Sequence, residues 1–317
     1  MTPPDLDVVT FGETMGLFIP EEPGPMESCY TFKSGIAGTE ANCAIGLARL
    51  GHWVCWISRV GNDPFGRRII KTLRGEGVDV SEVQTADDAQ TGLMFKELRP
   101  GRDPNIYYYR RGSAASRLDN CDLTGVGARY LFVTGITPAL SNENRDWTLR
   151  TVKACKDRGV QIVFDPNMRY KLWSESDAAP VFRELAKLAD FLLPSVDEAR
   201  IIIGKPLALE ELAQALFELA GARIAIKAGR EGAYFRDQQS QGIVPPFSVI
   251  EIDPVGAGDG FCAGLISGLL DEVPFPVAVT RGCAVGALCV TAYGDYAALP
   301  TRKELEDFLE NRRTRER

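Results

Sequence analysis

Histidine is nearly missing from this chain: His52 is the single one among 317 residues. That count excludes a metal centre built from several imidazoles and argues against a histidine-based triad, so an acid–base step here would fall to a carboxylate. His52 stands between a helix end and an apolar strand in RLGHWVCWISRVG, which predicts a surface loop position. No stretch approaches the roughly 18 uninterrupted apolar residues of a membrane span. The start, MTPPDLDVVTFGE, has neither a positive beginning nor a long apolar run, so neither signal peptide nor anchor is expected. A basic stripe is lacking too. The 36 Lys and Arg residues are interspersed with 43 Asp and Glu for a net charge of −7, which argues against nucleic acid as a partner. The closing run of Arg312, Arg313, Arg315 and Arg317 is punctuated by Glu310 and Glu316 and reads as a frayed, solvated helix end. Eight cysteines (29, 43, 55, 121, 155, 262, 283 and 289) form no CxxC pair. They read as reduced, packed thiols of a cytosolic protein rather than disulfides or zinc ligands.

What is present is an ordinary soluble composition, 45% hydrophobic and 25% charged, on a chain long enough for one large α/β domain with a small appendage. The first strand is DVVTFG, and a helix with a Thr39 cap and a Gly51 stop spans TEANCAIGLARL. Strand WVCWISRVG leads into helix FGRRIIKTLRGEG. Beyond residue 128 the strands YLFVTG, VQIVFDPN, FLLPS, ARIAIKAG and GAYFRD alternate with amphipathic helices. That rhythm predicts a mostly parallel sheet covered by helices on both faces. Four alternating segments, near 13–20, 28–34, 91–98 and 105–111, fall outside it and predict a small β-sheet lid. The expected division is an α/β core of 1–12, 35–90 and 112–317, with the lid at 13–34 and 91–111. No internal repeat, low-complexity tract or linker interrupts it.

The densest chemistry lies in Asp253-Pro-Val-Gly256-Ala257-Gly258-Asp259-Gly260-Phe261, followed by the small-residue amphipathic helix FCAGLISGLL. Gly256 and Gly258 let backbone N–H groups approach an anion, and the following helix adds its unpaired N–H groups and partial positive charge. An acid beside an anion hole needs a reason. Asp259 as a base taking a proton from an attacking hydroxyl supplies one; the plain alternative is a capping Asp after a flexible turn. Ligands of such sheets bind beyond the carboxyl ends of the strands. Those ends carry Asp165-Pro-Asn167-Met-Arg169, Ser195-Val-Asp-Glu198, Lys227-Ala-Gly229-Arg-Glu-Gly232 and the loop ending in Asp259.

Over essentially its whole length the chain resembles the ribokinase-like, or pfkB, carbohydrate kinases. The resemblance rests on the segment from Gly35 through Asn42 to Gly51, on Arg59-Val-Gly-Asn-Asp63-Pro-Phe-Gly66, and on the late GAGD. It implies a three-layer α/β/α fold, Asp259 as catalytic base, and Gly256, Ala257 and Gly258 as anion hole. It further implies a nucleotide site lined by Asn167, Ser195, Lys227, Gly229, Gly232 and Cys283, with ATP as donor and Glu198 organising Mg²⁺ through water. The lack of any GxxxxGK[ST] fits, since the family uses no such loop.

Within the family the nearest likeness is to the 2-keto-3-deoxygluconate kinases, through Gly12-Glu13, Tyr108-Tyr109-Arg110, Ile136 to Ser141, Asp165 to Arg169 and Gly294-Asp295. Carried over, the sugar-acid contacts are Gly35, Tyr108, Arg110, Arg169 and Asp295, with Gly12, Gly38, Thr39, Asn42 and Asn167 beside them. Arginine suits a sugar carboxylate because its planar fork binds it bidentately. Read without the resemblance, Arg110 is a solvated hairpin residue paired with an acid, and Arg169 a helix-start residue with an Asp partner. Several positions depart from the pattern. Ser195 stands first in NxxE, Cys283 where Asn is frequent, and Met94 where an aromatic often meets the sugar. Pro254 and Val255 replace the commoner threonines, which weakens the case for a monovalent cation. In the Tyr107–Tyr109 run, alternation puts Tyr108 on one face and its neighbours on the other. The resemblance implies that Tyr108 meets the sugar, with Tyr107 and Tyr109 in lid packing, while a lid-to-lid homo-oligomer would explain the cluster without a ligand. Three rivals remain: a kinase of a neutral sugar such as fructose or ribose, a silent nucleotide-binding sensor, and a Rossmann dehydrogenase. The last fails because the first strand ends in GETMG and the richest glycine loop lies late in the chain.

Overall fold

The computed structural model describes residues 6–22, 24–99, 104–121, 123 and 127–315, and their side chains except those of 120 and 311–315. The arginines of the closing basic run lie outside those side chains.

Eight strands form the main sheet: β1 (Leu6–Phe11), β4 (Val54–Ile57), β9 (Ala128–Thr134), β10 (Gln161–Asp165), β11 (Phe191–Leu192), β12 (Arg223–Lys227), β13 (Ala233–Arg236) and β14 (Gln241–Val244). Their order is β14-β13-β12-β11-β10-β9-β1-β4. From β4 to β12 every pairing is parallel, and β13 and β14 are added antiparallel at the edge. The parallel strands are apolar on both faces, as a sheet covered twice requires. Helices α1 (Thr39–Arg49), α2 (Pro64–Gly75), α7 (Ala257–Leu270) and α8 (Phe275–Cys289) pack with Trp56 and Phe132 on one side. On the other, α3 (Asn142–Asp157), α4 (Glu175–Leu188), α5 (Val196–Ile203) and α6 (Leu209–Ala220) pack with Phe11 and Phe164. Helix α9 (Arg302–Arg315) closes the chain, with Leu305 reaching the first side.

Helix α7 was expected to be amphipathic, yet it is buried all round from Asp259 to Leu270. Its small residues explain this. A Cβ at Gly264 would stand 2.6 Å from the Arg281 carbonyl, and one at Gly268 2.7 Å from the Ala278 Cα, so glycine lets α8 approach closely. Gly51 ends α1 at φ +87, as expected. Its N-cap, however, is Gly38, and Thr39 is the first helical residue and makes no capping bond. His52 is buried rather than exposed, because its Nε2 meets the Ser267 hydroxyl at 2.8 Å and Arg302 covers it.

A second sheet, ordered β3-β2-β7-β8, joins β2 (Met15–Pro20), β3 (Phe32–Ala37), β7 (Leu93–Glu97) and β8 (Asn105–Tyr109). The two inserted pairs are there, but β3 begins later than the expected 28 and runs past 34. The cause is its pairing with β2 from Met15↔Ala37 to Pro20↔Phe32, which buries Met15 and Ala37 together. One face of this sheet is apolar, with Leu17, Met94 and Tyr108. The other carries Phe18 stacked on Phe95, with Tyr109 edge-on to Phe95. The short strands β5 (Arg59–Gly61) and β6 (Gln84–Ala86) pair with each other, and β6 and β14 were not legible as strands.

Candidate active site

The carboxyl ends of the parallel strands converge. Strand β1 runs into Gly12-Glu13, β9 ends at Thr134, β10 at Asp165 and β12 at Lys227, while β11 leads to Ser195. Because β1 lies between β4 and β9, the chain leaves it in opposite directions and a crevice opens at these ends.

Helix α7 points its N-terminus into that crevice. Its N-cap, Gly256, has φ +88, and a Cβ there would lie 2.2 Å from the Asp295 carbonyl oxygen. Gly258, by contrast, is helical, and the nearest atom to its virtual Cβ is Lys227 Nζ at 3.9 Å. The positive φ therefore belongs to Gly256, while Gly258 keeps clear the space over the helix end. In the first turn the buried Asp259 accepts a 2.7 Å bond from Asn42 Nδ2. Burial pushes its carboxyl up to about 7, against the pull of Asn42 and Arg169.

Toward β12, Lys227 Nζ lies 2.7 Å from Asp165 Oδ1, and Asn167 Nδ2 bonds the other oxygen at 3.1 Å. Burial disfavours the ammonium, but Asp165, with Cys262 and Glu198, outweighs it and holds Lys227 above its usual range. Gly232 has φ +92 and no room for a Cβ, which would stand 2.1 Å from the Val244 carbonyl; Gly229 also has positive φ. Ser195 and Glu198 form a capping box at α5. One Glu198 oxygen accepts from Met168 N at 2.8 Å and the other from Ser195 N at 2.7 Å. Glu198 thus pins the loop in which Asn167 holds φ 44, and the Ser195 hydroxyl serves its own helix. Cys283 is half-buried on α8 against the apolar core.

Among the described residues no group of three or more His, Cys, Asp or Glu side chains is placed to hold a metal. Each Glu198 oxygen keeps a second lone pair that a water could fill, so this carboxylate fits a Mg²⁺ reached through water.

Toward the small sheet, Arg110 is buried rather than solvated, and it forms an ion pair with buried Glu13, its Nε donating at 2.6 Å. Ser113 donates to the other Glu13 oxygen, and the Arg110 guanidinium lies 5.4 Å from the Tyr108 ring centre. Tyr108 is turned inward while Tyr107 and Tyr109 are exposed. Arg169 lies in a loop, not at a helix start, half-buried beside Asp259 and Asp295, whose charges it stabilises. Asp295 is buried, its Oδ1 lacks a hydrogen-bond partner, and burial pushes it up to about 6. Gly12 and Gly38 are close-approach positions, where a Cβ would meet the Glu40 carboxyl at 2.3 Å and the Glu13 carbonyl at 2.6 Å. A Cβ at Gly35 would meet only Leu17 Cδ2, at 3.9 Å.

Among the buried charges with no assigned role are Glu40, Lys96 and Asp253. Glu40 accepts from Thr134 at 2.6 Å and is pushed up to about 7 by burial. Lys96, on β7, bonds Asp253 Oδ2 at 2.6 Å. Period-two alternation would have put Lys96 on the face of Met94 and Tyr108, but a lysine invites an exposed reading.

A glycine turn at a helix N-terminus, a buried acid in the first turn and a small sheet at the strand ends define a class of phosphoryl-transfer enzyme. Residues 5–302 match the pfkB family carbohydrate kinase model, and the chain belongs to that family. It is 43% identical over 315 residues to 2-dehydro-3-deoxygluconokinase of Bacillus subtilis, covering 98% of this chain and 97% of that one. A PfkB protein from Polaromonas sp. JS666 superposes with a TM-score of 0.84 at 39% identity, over 95% and 99% of the two chains. A putative ribokinase II from E. coli in complex with ATP and Mg²⁺ gives 0.88 at 25% identity, over 96% and 99%.

Proposed function

We propose that this carbohydrate kinase transfers the γ-phosphoryl group of ATP to the 6-hydroxyl of 2-keto-3-deoxygluconate, also called 2-dehydro-3-deoxygluconate. The observation that carries the chemistry is Asp259, buried one turn inside α7 directly after the Gly256 turn and held by Asn42. Its carboxyl, pushed up to about 7, suits a general base at neutral pH. The sugar hydroxyl would donate its proton to Asp259 while attacking in line. The N–H groups of Ala257, Gly258 and Asp259 would receive the charge on the phosphate oxygens. Lys227, held by Asp165, would meet the nucleotide phosphates beside the loop of Gly229 and Gly232. Mg²⁺, approached from Glu198 through water, supplies charge neutralisation on the phosphates when bound.

The sugar-acid assignment rests on Arg169 beside Asp295, on Arg110 beside Tyr108, and on the 43% identity to a named 2-dehydro-3-deoxygluconokinase. The small sheet of β2, β3, β7 and β8 would act as a lid that excludes water, the competing acceptor. Its exposed aromatic face would pair with a second copy. Cytoplasmic location is part of the same reading. One observation favours a neutral sugar instead: Arg110 is already neutralised by Glu13. ADP release over a panel of sugars and sugar acids tests both readings. Best turnover with the sugar acid supports the first, and better turnover with fructose or ribose supports the second.

A further inference from the structure

Lys96 is 1% exposed and among the largest fully buried side chains of the protein. It comes from the small sheet, but its ammonium ends in the main domain, 2.6 Å from Asp253 Oδ2 and 3.9 Å from Asp295 Oδ1. Both carboxylates are at least nine-tenths buried. They also hold backbone. Asp253 accepts from Val255 N at 3.2 Å, inside the turn that leads to Gly256, and from Gly294 N at 3.3 Å. The Asp295 carbonyl is the atom against which Gly256 packs. The two buried acids repel each other and lose hydration, and the Lys96 ammonium placed against both offsets these costs.

We propose that Lys96 is a positioning residue that couples the lid to the anion hole, its ammonium clamping the turn before Gly256 to the Gly294-Asp295 loop. The assignment rests on the phosphoryl-transfer reading of the glycine turn and not on the identity of the sugar. A lid displaced from the crevice takes the ammonium with it and relaxes the turn, so an unclosed enzyme has a poorly formed hole. The clamp thus guards against transfer to water.

The test uses the full-length protein. Lys96→Met should lower kcat by about 10- to 100-fold, the scale of misplaced transition-state donors, with KM for ATP changed less than threefold. Lys96→Arg should recover part of the loss, and millimolar ammonium or methylammonium should raise the turnover of Lys96→Ala saturably. Independently of any substrate, amides 255–258 should exchange at least tenfold faster in Lys96→Met. Should Lys96→Met fold poorly, the double variant Lys96→Met with Asp253→Asn removes one charge of each sign and leaves the net charge of the cluster unchanged. It should regain stability yet stay slow. Wild-type kcat in a folded Lys96→Met or Lys96→Ala variant, or unchanged exchange at 255–258 in Lys96→Met, would overturn the proposal. A wild type that turns over no sugar while the exchange effect is present would count against the proposed function alone.

Discussion

The Cα of Gly256 lies against the main-chain carbonyl of Asp295, so closely that a Cβ would stand 2.2 Å from its oxygen. The obstacle is backbone, and Gly256 also holds φ +88. Gly256→Ala should therefore displace the turn and reduce kcat/KM at least 100-fold, with a lower Tm. Gly258→Ala meets only Lys227 Nζ at 3.9 Å in a helical position. Its Tm should hold or rise, while activity drops because a methyl stands where phosphate must approach. Thermal unfolding with ADP release on both variants decides; a fully active and stable Gly256→Ala would remove the basis for the turn's role.

Asp259 links stability to pH. Its folded carboxyl stands at about 7 against an ordinary 3.8, so between those values the folded state binds the extra proton. The sign follows: this group favours the fold at low pH and loses that contribution as pH rises through about 7. Glu40, at about 7, and Asp295, at about 6, act in the same direction. Asp259→Asn should raise Tm at pH 8 by about 2–4 °C and leave it unchanged at pH 4. The same variant should lose roughly 10²- to 10⁴-fold in kcat while still binding ATP. In the wild type kcat/KM should climb through about pH 7. Near-normal kcat in the variant would rule Asp259 out as the base.

Arg110 and Glu13 form a buried pair, and removing one member strands the other. Arg110→Ala should cost about 3–5 kcal/mol of stability, and adding Glu13→Gln should restore most of it. Chemical denaturation of the three variants measures this. If Arg110→Ala unfolds at the same denaturant concentration as the wild type, the pair is not holding the lid to β1.

Hydrogen exchange at 105–109 tests the proposed lid. Among the described residues β8 pairs with β7 alone, so its outer edge should exchange readily in the free protein. Adding sugar and nucleotide together should slow these amides more than either ligand separately. Equal protection by nucleotide alone would speak against closure over the sugar.

Much of this could be read from the chain because local and global signals agreed. The apolar runs of β1, β9, β10 and β12 allow no other placement than a doubly covered sheet. Gly256 and Asp259 announce a turn and a buried acid within four positions. What could not be read was charge inside the protein. Lys96, Glu13, Glu40 and Arg110 look like surface residues until partners from distant segments are known, and each partner is 94 or more positions away. His52 failed for the same reason, since Ser267, 215 positions on, is what buries it. The start of β3 was misplaced because its register is set by Met15 and Ala37, not by turn residues near 28.

The substrate question turns on the two arginines. Arg110 approaches from the small sheet and Arg169 from the sheet end, and both lie near Asp295 or Tyr108. A charge-assisted contact to a buried carboxylate contributes about 1.5–3 kcal/mol, or roughly 10- to 150-fold in affinity. Truncating either arginine should raise KM for 2-keto-3-deoxygluconate by that factor. Because Arg110→Ala also strands Glu13, the cleaner comparison carries Glu13→Gln in the background. KM for ATP should be unmoved by Arg110→Ala, whereas Arg169, which stabilises the Asp259 charge, should lower kcat as well. A neutral ketose such as fructose offers no carboxylate, so its poor turnover should hardly respond to Arg110→Ala. Loss of equal size with fructose and with the sugar acid would mean that Arg110 acts through the lid. A wild type that prefers fructose or ribose would leave the kinase chemistry standing and remove the sugar acid.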